Sequence, residues 1–166
     1  AISAYEAFGI DVSSALITSW EDLLDDETIH VENGVVYTNY DEESNRNAII
    51  EALEGDLVLP TTGITSIGVN AFAYCEYLTD ITIPNSVTTI GAKAFMDAGL
   101  ENVTFAANSQ LTVIPEEAFA FNEQLSSVSL PSSVTTIDSM AFWCCWLTNV
   151  TLGNNITTIR ESAFTG

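Results

Sequence analysis

The stretch Leu78-Thr-Asp-Ile-Thr-Ile-Pro-Asn-Ser-Val-Thr-Thr-Ile-Gly-Ala-Lys-Ala-Phe95 decides the fold, because its pattern returns as Leu125-Ser-Ser-Val-Ser-Leu-Pro-Ser-Ser-Val-Thr-Thr-Ile-Asp-Ser-Met-Ala-Phe142. Three positions hold register through five copies between Gly55 and the C-terminus. They are the phenylalanine of an Ala-Phe pair (Phe72, Phe95, Phe119, Phe142 and Phe164), the isoleucine five residues earlier, and an aliphatic residue three before that. A step of 22 to 24 residues predicts a solenoid, since each unit buries its apolar edge only against its neighbours.

Each copy is predicted to contribute a short parallel strand, a turn and a second extended segment. In the second copy, Leu78, Ile81 and Ile83 alternate inward while Asp80 and Thr82 face out. The proline that follows lacks an N–H and ends the strand, and the Ala-Phe pair closes the circuit on a short helical or irregular segment. We therefore predict an α/β-type repeat solenoid of about five repeats, with continuous ladders and a spine of phenylalanine rings.

The phrase Leu-x-x-Ile-x-Ile-Pro-x-Ser-Val-Thr-x-Ile-Gly-x-x-Ala-Phe at residues 78–95 resembles the BspA-like leucine-rich repeat of bacterial and protist surface proteins. The resemblance extends over residues 55–166. It departs at Ala106 and Gly153, where the family favours proline, and at an insertion around Ala107 to Gln110. It implies a leucine-rich repeat solenoid in a secreted or cell-surface protein, with adhesion or protein binding as its role.

The first 54 residues lack the repeat and are predicted to form an N-terminal cap for the solenoid domain at 55–166. A lid is needed because the first strand otherwise offers a bare hydrogen-bonding edge. A helix is predicted from Ser13 or Ser14 to about Leu24, with an apolar stripe that includes Trp20, Leu23 and Leu24. A strand within 31–40 is expected to pair with the apolar segment 47–53 across a turn at 40–46.

The charge balance excludes several classes of partner. The chain carries 23 acidic residues against only Arg46, Lys93 and Arg160, for a formal net charge of −20. Such a chain repels phosphate backbones and anionic lipids, so neither nucleic acid binding nor direct membrane insertion is expected. No apolar run approaches the ~18 residues of a membrane span. A start at Ala1 without methionine fits both a removed signal peptide and a trimmed chain.

The cysteines are predicted to be thiols rather than disulfides or zinc ligands. Cys75 and Cys145 occupy one column three repeats apart. At ~4.8 Å per stacked strand, that separation is about 14 Å, beyond the ~7 Å limit between Cα atoms of a disulfide. A bridge between Cys144 and Cys145 would be strained. Cys75 and Cys145 are expected to be buried as small apolar side chains.

No catalytic motif is present, and we predict that the protein is not an enzyme. His30 is the only histidine, so histidine-based triads and multi-histidine metal sites cannot form. No cofactor is expected. Asp25-Asp26-Glu27 and Asp41-Glu42-Glu43 offer oxygen ligands to Ca²⁺, but neither has the spaced pattern of a calcium loop.

Two sets of side chains are candidate binding residues. The outward strand positions form two polar columns, of which one holds Thr82, Thr104, Ser129 and Thr151. Ordered threonine columns can bind glycans or ice, although threonine also simply favours exposed strands. The second set is aromatic and lies in the turns that follow the first, third and fourth Ala-Phe pairs: Tyr74, Tyr77, Phe121, Trp143 and Trp146. These rings form either an exposed contact stripe or a partly buried layer.

Two functions remain open at this point. The first is a surface adhesion module that binds a protein or glycan. The second is a structural subunit that assembles head to tail, because the strand at Thr148–Leu152 is predicted to leave an open edge that the N-terminal segment of another copy could cover.

Overall fold

The structure is a computed structural model that describes residues 20–25, 29–38 and 53–166. Its elements in this part of the chain are one short helix and two kinds of strand. The helix is α1 (Trp20–Asp25), and a hairpin of β1 (Ile29–Glu32) and β2 (Val35–Thr38) follows it. The long strands are β3 (Gly55–Val58), β5 (Leu78–Ile83), β7 (Asn102–Phe105), β9 (Ser127–Ser129) and β11 (Asn149–Thr151). The short strands are β4 (Ser66–Ile67), β6 (Thr89–Ile90), β8 (Val113–Ile114), β10 (Thr136–Ile137) and β12 (Thr158–Ile159).

These strands build the predicted repeat solenoid. Each of the five repeats contains one long and one short strand, and all pairings between repeats are parallel. The apolar columns point inward and are buried, as Ile81, Ile90 and Val87 illustrate in repeat 2. The period in the sequence therefore predicted the fold class correctly.

The phenylalanine spine is confirmed ring by ring. Phe72, Phe95, Phe119, Phe142 and Phe164 stack with 5.3 Å between successive ring centroids and with interplanar angles of 2° to 7°. The first four rings are completely buried. This stack is the centre of the hydrophobic core.

The segment around each spine ring is a turn, not a helix. The residues two before and two after each ring have positive φ, for example Lys93 (59°) and Asp97 (52°) around Phe95. With this backbone geometry, every second N–H of the turn points at the next repeat. Asn70, Phe72 and Tyr74 of the first repeat thus donate to carbonyl oxygens of the second, at 2.7 to 3.1 Å. Three such bonds recur at each of the four interfaces between repeats. We call this set of bonds the turn ladder.

The strand ladders, which were predicted to be continuous, are interrupted in repeat 3. Within residues 53–166, strand β7 pairs with β5 and not β9, and β8 pairs with β10 and not β6. The insertion around Ala107 to Gln110 separates the two strands of this repeat. Pro115 also contributes, because it occupies the position where Gly91 and Asp138 donate an N–H to the preceding repeat. Among the backbone ladders of residues 53–166, only the turn ladder crosses all four interfaces, and the ring spine crosses them beside it.

The described part of the N-terminal region replaces a preceding repeat. Strand β2 pairs in parallel with β4, so that Val36 lies opposite Ile67, and the Thr38 N–H donates to the Ala71 carbonyl at 3.2 Å. The predicted strand within 31–40 is instead bent into a hairpin at Asn33 (φ 53°) and Gly34 (φ 79°). The Asn-Gly pair favours such a two-residue turn. Its pairing with 47–53 lies mostly outside the described residues.

Helix α1 matches the end of the predicted helix, and residues 13–19 lie outside the described part. Leu23 is buried and Trp20 packs against the core. Leu24 was expected on the apolar stripe but is 39% exposed, because consecutive helical residues point in different directions and Leu23 takes the buried position. No helix among the described residues has the length and hydrophobicity to cross a bilayer.

Candidate functional site

The outward side chains of the long strands form a flat polar platform. We use this name for two columns: Asp56, Asp80, Asn102, Ser127 and Asn149; and Val58, Thr82, Thr104, Ser129 and Thr151. Register within each sheet places Thr82 beside Thr104 and Ser129 beside Thr151. Most of these side chains are exposed, and the Asn102 amide donates to Asp80 Oδ1 at 2.8 Å. The structure thus brings the predicted strand residues onto one face.

A second column of hydroxyl groups lies beside the short strands and was missed from the sequence. Its threonines stand two residues before each column isoleucine, at positions 65, 88, 112, 135 and 157. Thr88 Oγ1 donates to the Thr65 carbonyl at 3.4 Å, and Thr157 Oγ1 donates to the Thr135 carbonyl at 3.2 Å. The hydroxyl groups at positions 65, 88, 135 and 157 donate to carbonyl oxygens within the solenoid. The platform therefore has more hydroxyl groups available to a ligand than this column.

The predicted aromatic residues lie along a different edge. We call residues 73–77, 96–99, 120–124 and 143–146, the turns that follow the first four spine rings, the aromatic edge. The turn ladder stacks these turns directly: the Asp97 N–H donates to the Ala120 carbonyl, and the Phe121 N–H donates to the Trp143 carbonyl. Tyr74, Asp97 and Phe121 therefore occupy one column, in which an acidic residue stands between two aromatic ones.

The aromatic side chains are only partly brought together. Phe121 and Trp143 meet edge to face, with ring centroids 4.8 Å apart, and pack on a small cluster of Ala73, Met96 and Ala120 that is separate from the main core. Tyr77 and Trp146 are the most exposed, at 52% and 64%. They share a column, but the two repeats between them have no aromatic residue there. The predicted stripe is thus a half-buried cluster with exposed rings at both ends.

Beneath this edge lies a buried polar residue that sequence reasoning missed. Asn122 is completely buried. Its Oδ1 accepts from the N–H groups of Ala98 (3.2 Å) and Leu100 (2.9 Å), and its Nδ2 donates to the carbonyls of Phe95 and Phe119 at 2.8 Å. One side chain thereby satisfies four backbone groups, which is a structural role. Asn122 occupies the same position in its repeat as Cys75 and Cys145 do in theirs. Its spacing in the sequence therefore gave no sign of a different role.

The three cysteines are free thiols, as predicted. Cys75 and Cys145 are buried, and burial raises the pKa of each to about 12. Cys145 Sγ also contacts the Phe119 carbonyl oxygen at 3.0 Å. Cys144 is partly exposed and has positive φ. The buried pair is held in the protonated form at neutral pH and acts as packing.

No group of three or more His, Cys, Asp or Glu side chains within residues 20–25, 29–38 and 53–166 is arranged to hold a metal ion. The two acidic stretches considered for Ca²⁺ fall almost wholly outside those ranges. His30 is exposed on β1 and stacks on Tyr37 of the hairpin, with 5.2 Å between ring centroids.

Comparison with known proteins gives a consistent family signal. The sequence profile of the BspA type Leucine rich repeat region (6 copies) matches residues 54–166. No curated protein matches the chain.

Several solved structures share the fold. A leucine rich cell surface protein from Faecalibacterium prausnitzii is 34% identical and superposes with a TM-score of 0.62, over 66% of this chain and 29% of that one. A leucine-rich repeat protein from Eubacterium ventriosum is 22% identical (TM-score 0.61, 89% of this chain, 44% of that one). The pneumococcal vaccine antigen PcpA is 20% identical (TM-score 0.61, 82% and 35%). The chain spans less than half the length of each.

Proposed function

This chain belongs to the BspA-type leucine-rich repeat family, and we propose that it is a non-enzymatic binding or adhesion module that acts outside the cell or at its surface. The similar protein from Faecalibacterium prausnitzii is described as a cell surface protein, which supports this location. The proposal extends to a protein or glycan as the ligand. It does not include a cofactor.

The observation that carries the proposal is the register of the platform within each of its two sheets, β3–β5–β7 and β9–β11. In register, neighbouring side chains of parallel strands repeat at ~4.8 Å, and the turn ladder and ring spine hold all five repeats together beneath them. A surface fixed in this way loses little conformational entropy when a partner binds, which is the advantage of a preorganised site. Short polar side chains such as Thr104 and Ser129 leave the face open to a large ligand.

The test is an array of glycans and extracellular matrix proteins probed with the purified chain. Thr104→Gln/Ser129→Gln places two longer uncharged side chains on the platform, and Trp143→Ala/Trp146→Ala removes two rings from the aromatic edge. Thr158→Gln makes the same kind of change on the short-strand face and is the control. We expect one of the double variants to weaken binding to the parent's ligand while the control does not.

A chain that binds nothing on the array would contradict the proposal. Unchanged binding by both double variants would reject these two surfaces while leaving binding itself in place. Far-UV circular dichroism of each variant checks that the solenoid is intact.

Self-assembly is the second candidate function. In the last repeat Val150, Leu152 and Ile159 are 37%, 40% and 49% exposed, whereas Val128, Leu130 and Ile137 of the preceding repeat are buried. Within the solenoid such a face is covered by the next repeat, so it can accept either a further repeat of a longer chain or a second copy. Light scattering and electron microscopy separate these cases, and a monomer at high concentration would reject self-assembly.

A further inference from the structure

The aromatic edge has a distinctive composition. Its four turns contain Tyr74, Tyr77, Phe121, Trp143 and Trp146 together with three acids, at positions 76, 97 and 123, and no lysine, arginine or histidine. The acids are distributed one per turn over the first three turns. Aromatic faces and carboxylates both attract cations, the first through the ring quadrupole and the second through charge.

The position of this edge makes it accessible. Tyr77, Trp146 and Glu123 are exposed and Asp97 is half-buried. The turn ladder fixes the spacing of the turns, with the Tyr74, Asp97 and Phe121 N–H groups bonded to the following repeat at 2.7 to 2.8 Å. A ligand that lies along the solenoid axis therefore meets both aromatic and acidic residues on turns whose spacing is already fixed.

The basic residues of the described chain are engaged elsewhere. Lys93 Nζ lies 3.6 Å from Glu117 Oε1, and Arg160 Nε lies 2.7 Å from Asp138 Oδ1. The formal charge of the whole chain is −20. Such a field draws cationic partners toward the surface and repels anionic ones. Charge complementarity therefore favours a cationic occupant for an edge that already carries exposed rings.

We infer that the aromatic edge is a docking surface for an extended, Lys- or Arg-rich polypeptide segment of another protein. This inference rests on the proposed binding function and adds the chemical class of the partner. The basic side chains pair with Asp97 and Glu123 and lie on the faces of Tyr77 and Trp146. A neutral glycan would use the rings but not the charges, which makes it the competing outcome of the test.

The test uses two fluorescent twelve-residue peptides, six repeats of Arg-Ser and six repeats of Gln-Ser, and measures anisotropy at physiological salt. Because two ion pairs with the peptide are removed, Asp97→Asn/Glu123→Gln is expected to weaken Arg-Ser binding about fivefold. Tyr77→Ala/Trp146→Ala is expected to weaken it about threefold through lost cation–π contacts. The charge-matched control, Glu32→Gln/Glu161→Gln, changes two exposed acids away from the edge and is expected to change binding less than about twofold.

Three results would overturn the inference. Equal losses in the acidic-edge variant and its charge-matched control would mean that only the overall charge attracts the peptide. Equal binding of the Gln-Ser peptide would mean that the edge does not select cations. A parent chain that ignores the Arg-Ser peptide would remove this partner class. Ligands found on the array would still support the binding function, so the two proposals fail separately.

Discussion

Removal of one ring from the middle of the spine tests the packing on which the solenoid depends. Phe119 is completely buried, and its ring centroid lies 5.3 Å from those of both Phe95 and Phe142 and 6.4 Å from that of Phe105. Replacement of a buried phenylalanine by alanine costs about 3–5 kcal/mol from lost burial and the remaining cavity. Because rings on both sides lose a stacking partner, we expect Phe119→Ala to fall in the upper half of that range.

The matched control is the same substitution at the last spine position. Phe164 is only partly buried and stacks on one ring, that of Phe142. We expect Phe164→Ala to cost about 2 kcal/mol, since roughly half of the contacts are lost. Phe119→Leu keeps most of the apolar volume and should lie between the two.

Urea unfolding followed by far-UV circular dichroism measures these free energies, provided that the slope against urea concentration stays constant between variants. A loss below about 1 kcal/mol for Phe119→Ala would refute the burial of this ring. A loss at Phe164 equal to that at Phe119 would refute the argument that contacts on both sides decide the cost.

Three further changes probe the turns and the cysteine column. Asn122→Ala removes the side-chain partner of the Ala98 and Leu100 N–H groups and of the Phe95 carbonyl, while the Phe119 carbonyl keeps its contact with Cys145 Sγ. It should lower the free energy of unfolding by at least about 3 kcal/mol, whereas a loss under half of that in a urea titration would contradict its structural role. Gly99→Ala should cost about 2 kcal/mol or more in the same assay, because Gly99 has φ of 73° and an added Cβ would lie 2.1 Å from a carbonyl oxygen; a neutral result would contradict this turn geometry. In native protein at pH 8, one thiol per chain, that of Cys144, should react with Ellman's reagent, because burial raises the pKa of Cys75 and Cys145 to about 12. Reaction of three thiols before unfolding would be inconsistent with that burial. The folded state favours the protonated form of these two thiols. The resulting contribution to stability is fully present below their ordinary pKa of 9.0 and is lost as the pH rises toward 12. Thermal stability should therefore fall above pH 9, and less steeply in Cys75→Ala/Cys145→Ala; identical alkaline profiles would contradict the linkage.

The periodic core of the fold could be read from the sequence. A column that must be buried in every repeat leaves an apolar residue at a fixed spacing, so the spine and the inward positions such as Ile90 and Val87 were predictable. The outward register of Thr82 and Thr104 followed from strand alternation. Pro115 was visible in the sequence as well. Its effect on the strand ladder was not, because that effect depends on which N–H groups donate from one repeat to another.

The turns could not be read in the same way. Positive φ at Lys93, Met140 and Phe121 has no local signal, because these residue types rarely adopt that conformation. The positive φ is imposed by the hydrogen bonds of the turn ladder and by the packing of the spine ring beside each of these residues. For the candidate site, the sequence showed which aromatic residues share a column, but the contact between Phe121 and Trp143 depends on their side-chain conformations.

The turn ladder also gives the molecule an electrical direction. Its backbone N–H groups all donate from one repeat to the following one, as from Phe95 to Ala118 and from Phe142 to Ala163. Dipoles in paired strands alternate and largely cancel, whereas these peptide dipoles point the same way and add. Their positive pole faces repeat 5 and their negative pole faces the hairpin, where the Thr38 N–H meets it. This polarity is the reverse of that of an α-helix, whose N-terminus is positive.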